Sequence, residues 1–503
     1  MNMLLWWRFK KRGMKMSKII KAITKWQVVL GLQLIATIAL IVCVVKLGAL
    51  PTLYLGIVAG LLALLCLGMY FFMKPSKQEG KGKVREALGK IVSLILSIVL
   101  IIGTLYIAQG DSVLGNITGA NTQTNRFSVF VLTDSPYESL SDIAGETVEM
   151  CDTYDNTEYF NKAIEALNKE ESTIKVETID DYLDVAKDLY TEKVKAIYVN
   201  EAFNGIFEEA YSTFSSDVRA IWSYDIVEEV SDISKKIDVT EDTFTIYISG
   251  IDTTGPVSTV SRSDVNMLVT VNPKTKQILM TSIPRDYYVT LANKGKKDKL
   301  THAGLGGVEN SVKTIENFMD IDINYYARVN FTSLIKIVDA LGGITVYSPY
   351  DFSTLHGKYN IVKGENYMDG ETALCFVRER YSLPNGDNDR VKNQQRVLAA
   401  MLKKAMSPAI ITNYSSVLKS IDGSFETNMS SSDITDLIQM QLSDMASWDI
   451  QQVSLTGTGK SMTGGAYMPN NKLYYMIPNQ DSVDKCSGLI KKMVNGEKIE
   501  SVD

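Results

Sequence analysis

The chain has 503 residues, with 52 Lys+Arg against 58 Asp+Glu, five cysteines and only two histidines, His302 and His356. Residues 1–90 hold 15 of the basic and 2 of the acidic residues, a balance of +13 that leaves −19 for residues 91–503. So acidic a body argues against a nucleic-acid binder. The scattered cysteines contain no CxxC pair and indicate neither a zinc site nor a disulfide framework, and two histidines argue against a histidine base or a multi-histidine metal site.

Residues 1–25 form a basic tail with eight Lys or Arg and no acid. Three apolar runs follow, 26–45, 49–73 and 88–108, each close to the ~20 residues that cross a bilayer. Lys46-Leu47-Gly48 allows only a tight turn between the first two. The loop at 74–87 carries Lys74, Lys77, Lys81, Lys83 and Arg85 against Glu79 and Glu86. The positive-inside rule therefore puts the N-terminus and this loop in the cytoplasm and everything after Ala108 outside. Three spans with charged flanks argue against a cleaved signal peptide. A Gly/Asn/Thr-rich linker is expected at 109–125. The strand signal at 126–132, helical patterns at 156–169 and 180–190, and a strand at 194–199 predict a small α/β accessory domain over 126–230. It holds many acids and no catalytic constellation. A polar linker, 231–243, leads to the main domain at 244–503.

The main domain opens with three β-branched, alternating segments, 244–251, 265–271 and 277–283, which predict strands. The turn Asn272-Pro273-Lys274-Thr275-Lys276 joins the second and third as an antiparallel hairpin. If the first strand also runs antiparallel to the second, one edge of the sheet collects Asp252, Arg262, Asp264, Arg285 and Asp286. Further elements are expected as helices at 308–319, 331–341, 390–406, 413–421 and 432–445, a helical turn within 369–377, and strands at 325–330, 344–347 and 451–455. Their mixture predicts N-terminal transmembrane helices followed by an α/β sandwich with a central mixed sheet.

A second group of charges lies in Phe376–Leu398, FVRERYSLPNGDNDRVKNQQRVL. Arg378 and Arg380 alternate around Glu379, as in an extended segment where both point the same way. Arg390 and Gln394 are four apart near the start of the following helix and share a face. Arginines beside a helix N-terminus suit a phosphate or pyrophosphate, through bidentate contacts, unpaired N–H groups and a favourable dipole. The plain alternative is that they pair with Glu379, Asp387 and Asp389 on a solvated face, and that Asp252 and Asp264 serve as turn residues. A divalent ion would account for two carboxylates beside so many arginines. His302 reads as a structural hydrogen-bonder, and Lys299 as a weaker phosphate contact.

The stretches SGIDTTGPVSTVSRSDVNMLVTVNPKTKQILMTSIPRD, KDKLTHAG, INYYARVNFTSLIKIVDALGGITVY and FVRERYSLPNGDNDRVKNQQRVL, in that order, resemble the LytR–CpsA–Psr (LCP) family, in particular its streptococcal capsule branch. The resemblance covers about 241 to the C-terminus, and the three spans and the 126–230 segment resemble that branch's membrane region and accessory domain. It implies a phosphotransferase on the outer face of a Gram-positive cell membrane. Such an enzyme moves a glycopolymer, of capsular polysaccharide or teichoic-acid type, from a polyprenyl-pyrophosphate carrier to peptidoglycan through a phosphodiester. By the same resemblance Asp252 and Asp264 hold Mg²⁺, with Mn²⁺ as a substitute. Arg262, Arg285, Arg378, Arg380, Arg390 and Gln394 grip the pyrophosphate, and Asp252, Asp264 and Arg285 form the catalytic set. The general base stays open among Asp252, Asp264 and Asp286. Implied partners are the lipid-linked glycan, peptidoglycan, the bilayer and other capsule or wall assembly proteins, with no nucleic acid. A pyrophosphatase side activity of the transferase is also implied. The alternatives are a non-catalytic lipid or glycan sensor, a transcriptional regulator of capsule synthesis, and a hydrolase that releases the lipid-linked polymer with water as acceptor.

Overall fold

The computed structural model describes residues 24–75, 81–251, 256–354, 357–407 and 425–502, with a few single positions between 417 and 423. The chain divides into two compact units: the N-terminal helices joined by 432–445, and the remaining chain from Asn116 onward.

In the first unit, α1 (Trp26–Leu47), α2 (Thr52–Met73) and α3 (Lys81–Ile117) are each long and apolar enough to cross a membrane. Gly48 ends α1 in the left-handed conformation, at φ 66°, which a residue without Cβ adopts without strain. Polar side chains tie the helices together, as expected where lipid supplies no hydrophobic drive between them. The Ser93 hydroxyl donates to Gln33 Oε1 at 2.6 Å, and Thr37 Oγ1 lies 3.5 Å from Cys66 Sγ. The third helix runs past the expected end at 108, through most of the expected linker. Its last turns remain regular because Val113, Leu114 and Ile117 are buried.

The second unit begins with β1 (Thr122–Leu132), β2 (Thr147–Cys151), α4 (Thr157–Glu170), β3 (Lys175–Ile179), α5 (Tyr182–Tyr190), β4 (Ala196–Asn200), α6 (Asn204–Ala210) and β5 (Val218–Glu229). The strands form a mixed sheet in the order β3-β2-β4-β1-β5. Alternation sorts its two faces. Phe127, Val129, Val131, Ala196 and Tyr198 pack with Phe160, Ala163 and Leu167 of α4. Phe130, Ile197 and Val199 instead join Tyr182, Phe203 and Phe207 of the α5–α6 side, in a core continuous with that of the main domain. β1 starts four residues earlier than expected because it pairs along its whole length with β5.

The main domain is built on β6 (Phe244–Ile251), β7 (Ser263–Asn272), β8 (Gln277–Ile283), β9 (Tyr325–Val329), β10 (Phe425–Thr427) and β11 (Asp449–Ser454). The sheet order is β10-β9-β6-β7-β8-β11, with β6, β7 and β8 antiparallel and β9 and β11 parallel to their neighbours β6 and β8. Tyr247, Leu268 and Leu279 pack with Val312 and Ile315 of α7 (Gly307–Met319). Burying each such aliphatic side chain stabilises the fold by about 1.5–3 kcal/mol. Next come α8 (Phe331–Ala340), α9 (Gly370–Arg378) and α10 (Asp387–Ala405). Beyond β11 the structure adds a hairpin, Gly457–Met462 with Leu473–Pro478, and α11 (Gln480–Val494), whose Val483, Ile490 and Met493 complete the same core. The helix expected at 413–421 lies largely outside the described residues.

Candidate active site at the end of the central sheet

The strand register gathers the charges. Asn266 pairs with Ile283 across β7 and β8, and continuing that register sets Asp264 opposite Arg285. Arg285 Nη1 donates to Asp264 Oδ1 at 3.0 Å, and the Thr301 hydroxyl donates to the same oxygen at 3.2 Å. Arg285 Nε lies 3.7 Å from Asp286 Oδ2. From the other side, α10 contributes Arg390 and, one turn on, Gln394. Together Asp264, Arg285, Asp387, Arg390 and Gln394 line one cleft. Gly386, at φ 55°, lets the chain turn sharply into α10.

Burial alone would raise the Asp264 pKa, but the charges of Arg262, Arg285 and Arg390 outweigh it and hold the carboxyl below its ordinary value. Burial also opposes the Arg285 charge, yet Asp264, Asp286 and Asp387 more than restore it. Arg390 differs. Burial, together with Arg285 and Arg380, holds it below the ordinary arginine value despite its 2.6 Å ion pair with Asp387. An arginine does not discharge, so this cation is short of negative charge. Arg285 Nε and Arg390 Nε are buried without a hydrogen-bond partner among the described residues. Buried guanidinium donors, one of them on the under-neutralised Arg390, are what a multivalent oxyanion satisfies.

The other expected site residues fall as follows. Asp252 lies outside the described residues. Arg262 enters the Asp264 electrostatic field, while its terminal nitrogens contact α6: Nη2 donates to Glu208 Oε2 at 2.9 Å and Nη1 to the Gly205 carbonyl at 3.2 Å. Arg380 sits 4.6 Å over the Tyr381 ring and acts on Arg390 through space. Arg378 is exposed and lies 4.4 Å over the Phe331 ring. The extended Arg378–Arg380 segment is thereby corrected. α9, capped by Asp369 on the Thr372 N–H, stays helical through Arg378, and the chain turns extended at Glu379. Of the acids weighed as simple partners, Asp387 pairs with Arg390. Glu379 accepts from the Arg380 and Ser382 N–H groups, and Asp389 from that of Asn385.

Lys299 is buried and pairs with Glu209 and, at 3.6 Å, with Asp286. His302 is fully buried, its Nδ1 3.0 Å from Asp298 Oδ1, in keeping with a structural role. Sequence reasoning passed over Thr301, which lies inside the KDKLTHAG stretch, and Glu208 and Glu209, whose acids sit in a separate element with no local motif. Among the described residues no group of three or more His, Cys, Asp or Glu forms a metal cluster. Both hydrogen bonds to Asp264 reach Oδ1, so its Oδ2 is the carboxylate oxygen in the cleft with no partner among those residues.

A mixed-sheet α/β domain with an arginine-rich cleft at one sheet end, following three membrane-length helices in the chain, fits a membrane-anchored protein. The chain belongs to the LytR_cpsA_psr family, whose model matches residues 210–492. One relative, from Bacillus licheniformis, is named polyisoprenyl-teichoic acid–peptidoglycan teichoic acid transferase TagU. It is 32% identical over 312 residues, which are 60% of this chain and 97% of the relative. A protein of the same name from Enterococcus faecalis is 35% identical over 251 residues, 49% of this chain and 81% of the relative. Among solved structures, TagV of B. subtilis is 29% identical with a TM-score of 0.43, covering 52% of this chain and 99% of that one.

Proposed function

We propose that the chain is a membrane-anchored phosphotransferase. It moves a glycopolymer from a polyprenyl-pyrophosphate carrier to peptidoglycan through a phosphodiester, on the outer face of the membrane. The observation that carries this is the pair of buried Nε donors of Arg285 and Arg390, without a hydrogen-bond partner among the described residues, beside an anionic Asp264. The names of the relatives support the transfer reaction and the acceptor.

In this mechanism Arg285, Arg390 and Arg262 bind the pyrophosphate oxygens, and Gln394 orients them from α10. A muramic-acid hydroxyl attacks the glycan-side phosphorus in line. The new P–O bond forms as the bond to the bridging oxygen breaks, and polyprenyl monophosphate leaves with that oxygen and its electron pair. A carboxylate among Asp252, Asp264 and Asp286 takes the hydroxyl proton. The arginines stabilise charge growing on the bridging and equatorial oxygens, where most catalysis of phosphoryl transfer arises. Asp264, anionic and with no Oδ2 partner among the described residues, fits a hard divalent cation, and Asp252 would be its second protein ligand. Mg²⁺ there would add further neutralisation of the pyrophosphate.

The test takes the full-length chain in detergent with a short lipid-pyrophosphate saccharide and a peptidoglycan oligomer, with Mg²⁺ or a chelator, followed by mass spectrometry. A phosphodiester-linked product and polyprenyl monophosphate that need Mg²⁺ and vanish in Arg285→Ala are expected. Tight lipid binding without turnover would establish a sensor instead, and polymer released with a free terminal phosphate a hydrolase.

A further inference from the structure

We infer that the accessory domain is a working part of this site, with Gly205 and Glu208 of α6 as positioning residues for Arg262; the inference rests on the transferase reading above. Arg262 follows a segment held from the accessory side. The Thr124 N–H at the start of β1 donates to Ser258 O at 2.9 Å, and the Val260 N–H donates to Thr124 O at 2.9 Å. Its side chain then runs directly over Gly205. A Cβ built there would lie 2.0 Å from Arg262 Nε, 2.2 Å from Cζ and 2.4 Å from Cδ. Only a residue without a side chain leaves room for the guanidinium. The Gly205 carbonyl and Glu208 then take one N–H each from the two terminal nitrogens.

A guanidinium fixed at both ends has lost its rotamer freedom before any ligand arrives, and its charge already bears on Asp264. α6 is itself anchored, since Phe203 and Phe207 on either side of the glycine sit in the core shared by the two domains. The adjacent Glu209 holds Lys299, which also contacts Asp286. One short helix therefore holds two cations, Arg262, whose charge bears on Asp264, and Lys299, which contacts Asp286.

Gly205→Ala is a selective probe, because the three atoms nearest the new methyl all belong to the Arg262 side chain, which is the group it displaces. Alanine is also the better helix former, so Tm should not fall. In the full-length enzyme with the lipid-pyrophosphate saccharide, Gly205→Ala should raise KM for the lipid about tenfold, the scale expected for a misplaced binding group. In an Arg262→Ala background the same substitution should change nothing further, since the group it displaces is gone. Glu208→Ala should follow Gly205→Ala, and Glu208→Gln, which keeps an oxygen acceptor, should recover most of the affinity. Wild-type kinetics in Gly205→Ala, or an equal loss in both backgrounds, would overturn the positioning role while leaving the transferase intact. A wild-type chain that neither binds nor turns over the lipid would overturn the transferase reading, and this inference with it.

Discussion

Asp264 and Arg285 stand opposite one another because a turn of fixed length sets the register of β7 and β8, and their charges then decide how the site titrates. The folded pKa of Asp264 is depressed. Its contribution to stability is therefore present above the ordinary carboxylate value and is lost as pH falls through the lower folded value. Asp264→Asn keeps the shape and removes the charge. Turnover should fall about 10²–10³-fold, the usual scale for deleting one preorganised electrostatic group, with no new acid limb between pH 5 and 8 in a rate profile of the wild type.

Asp155 behaves oppositely. It accepts from Asn200 Nδ2 at 2.8 Å and from the Tyr182 hydroxyl at 2.9 Å. Burial nevertheless raises it from 3.8 to about 6. The folded state holds this proton longer than the unfolded chain does, so stability falls as pH rises from 3.8 through about 6. Thermal melts of Asp155→Asn should lose that slope and show a higher Tm than wild type at pH 7.5. An unchanged slope would mean that another group titrates there.

At the scale of elements, what was legible followed local pattern. β6, β8 and the hairpin could be read to the residue, and β7 (expected at 265–271) to within two residues, because alternation and a Pro/Asn turn are written into contiguous sequence. Arg262, Asp264 and Arg285 came with them. What was not legible depended on long-range partners. β5 and the first residues of β1 form through each other, and Glu208 meets Arg262 across 54 positions. Arg378 and Arg380 misled for the reverse reason, since a helix with an Asp369 cap overrode an alternating charge pattern.

The same limit separates two adjacent glutamines on α10. Gln394 lines the cleft, whereas the buried Gln395 donates to Val453 O at 2.7 Å and ties the helix to β11. Gln395→Ala should destabilise the protein by about 0.5–1.5 kcal/mol, the net contribution of a hydrogen bond. Gln394→Ala should leave denaturant midpoints unchanged and weaken lipid binding. Equal Tm losses in both variants would refute that division of labour along the helix.

At the scale of the whole molecule, the three apolar helices lie between a basic N-terminal tail and an acidic body, and charge predicts the sidedness. Moving Lys and Arg across a bilayer is unfavourable, so the N-terminal tail and the 74–87 loop should remain cytoplasmic. An odd number of spans should then carry everything from Asn116 outward. The chemistry agrees with that placement, because peptidoglycan, the proposed acceptor, lies outside the membrane, and an inward-facing cleft would never meet it. Protease added to intact cells should therefore digest the region 116–503 and leave a membrane-protected fragment carrying the N-terminal helices. A tag placed before residue 24 should resist the same treatment until the cells are opened. Protection of the large domain in intact cells would reverse the orientation and remove the acceptor from reach of the Arg285–Arg390 cleft, whatever affinity that cleft showed for pyrophosphate in detergent.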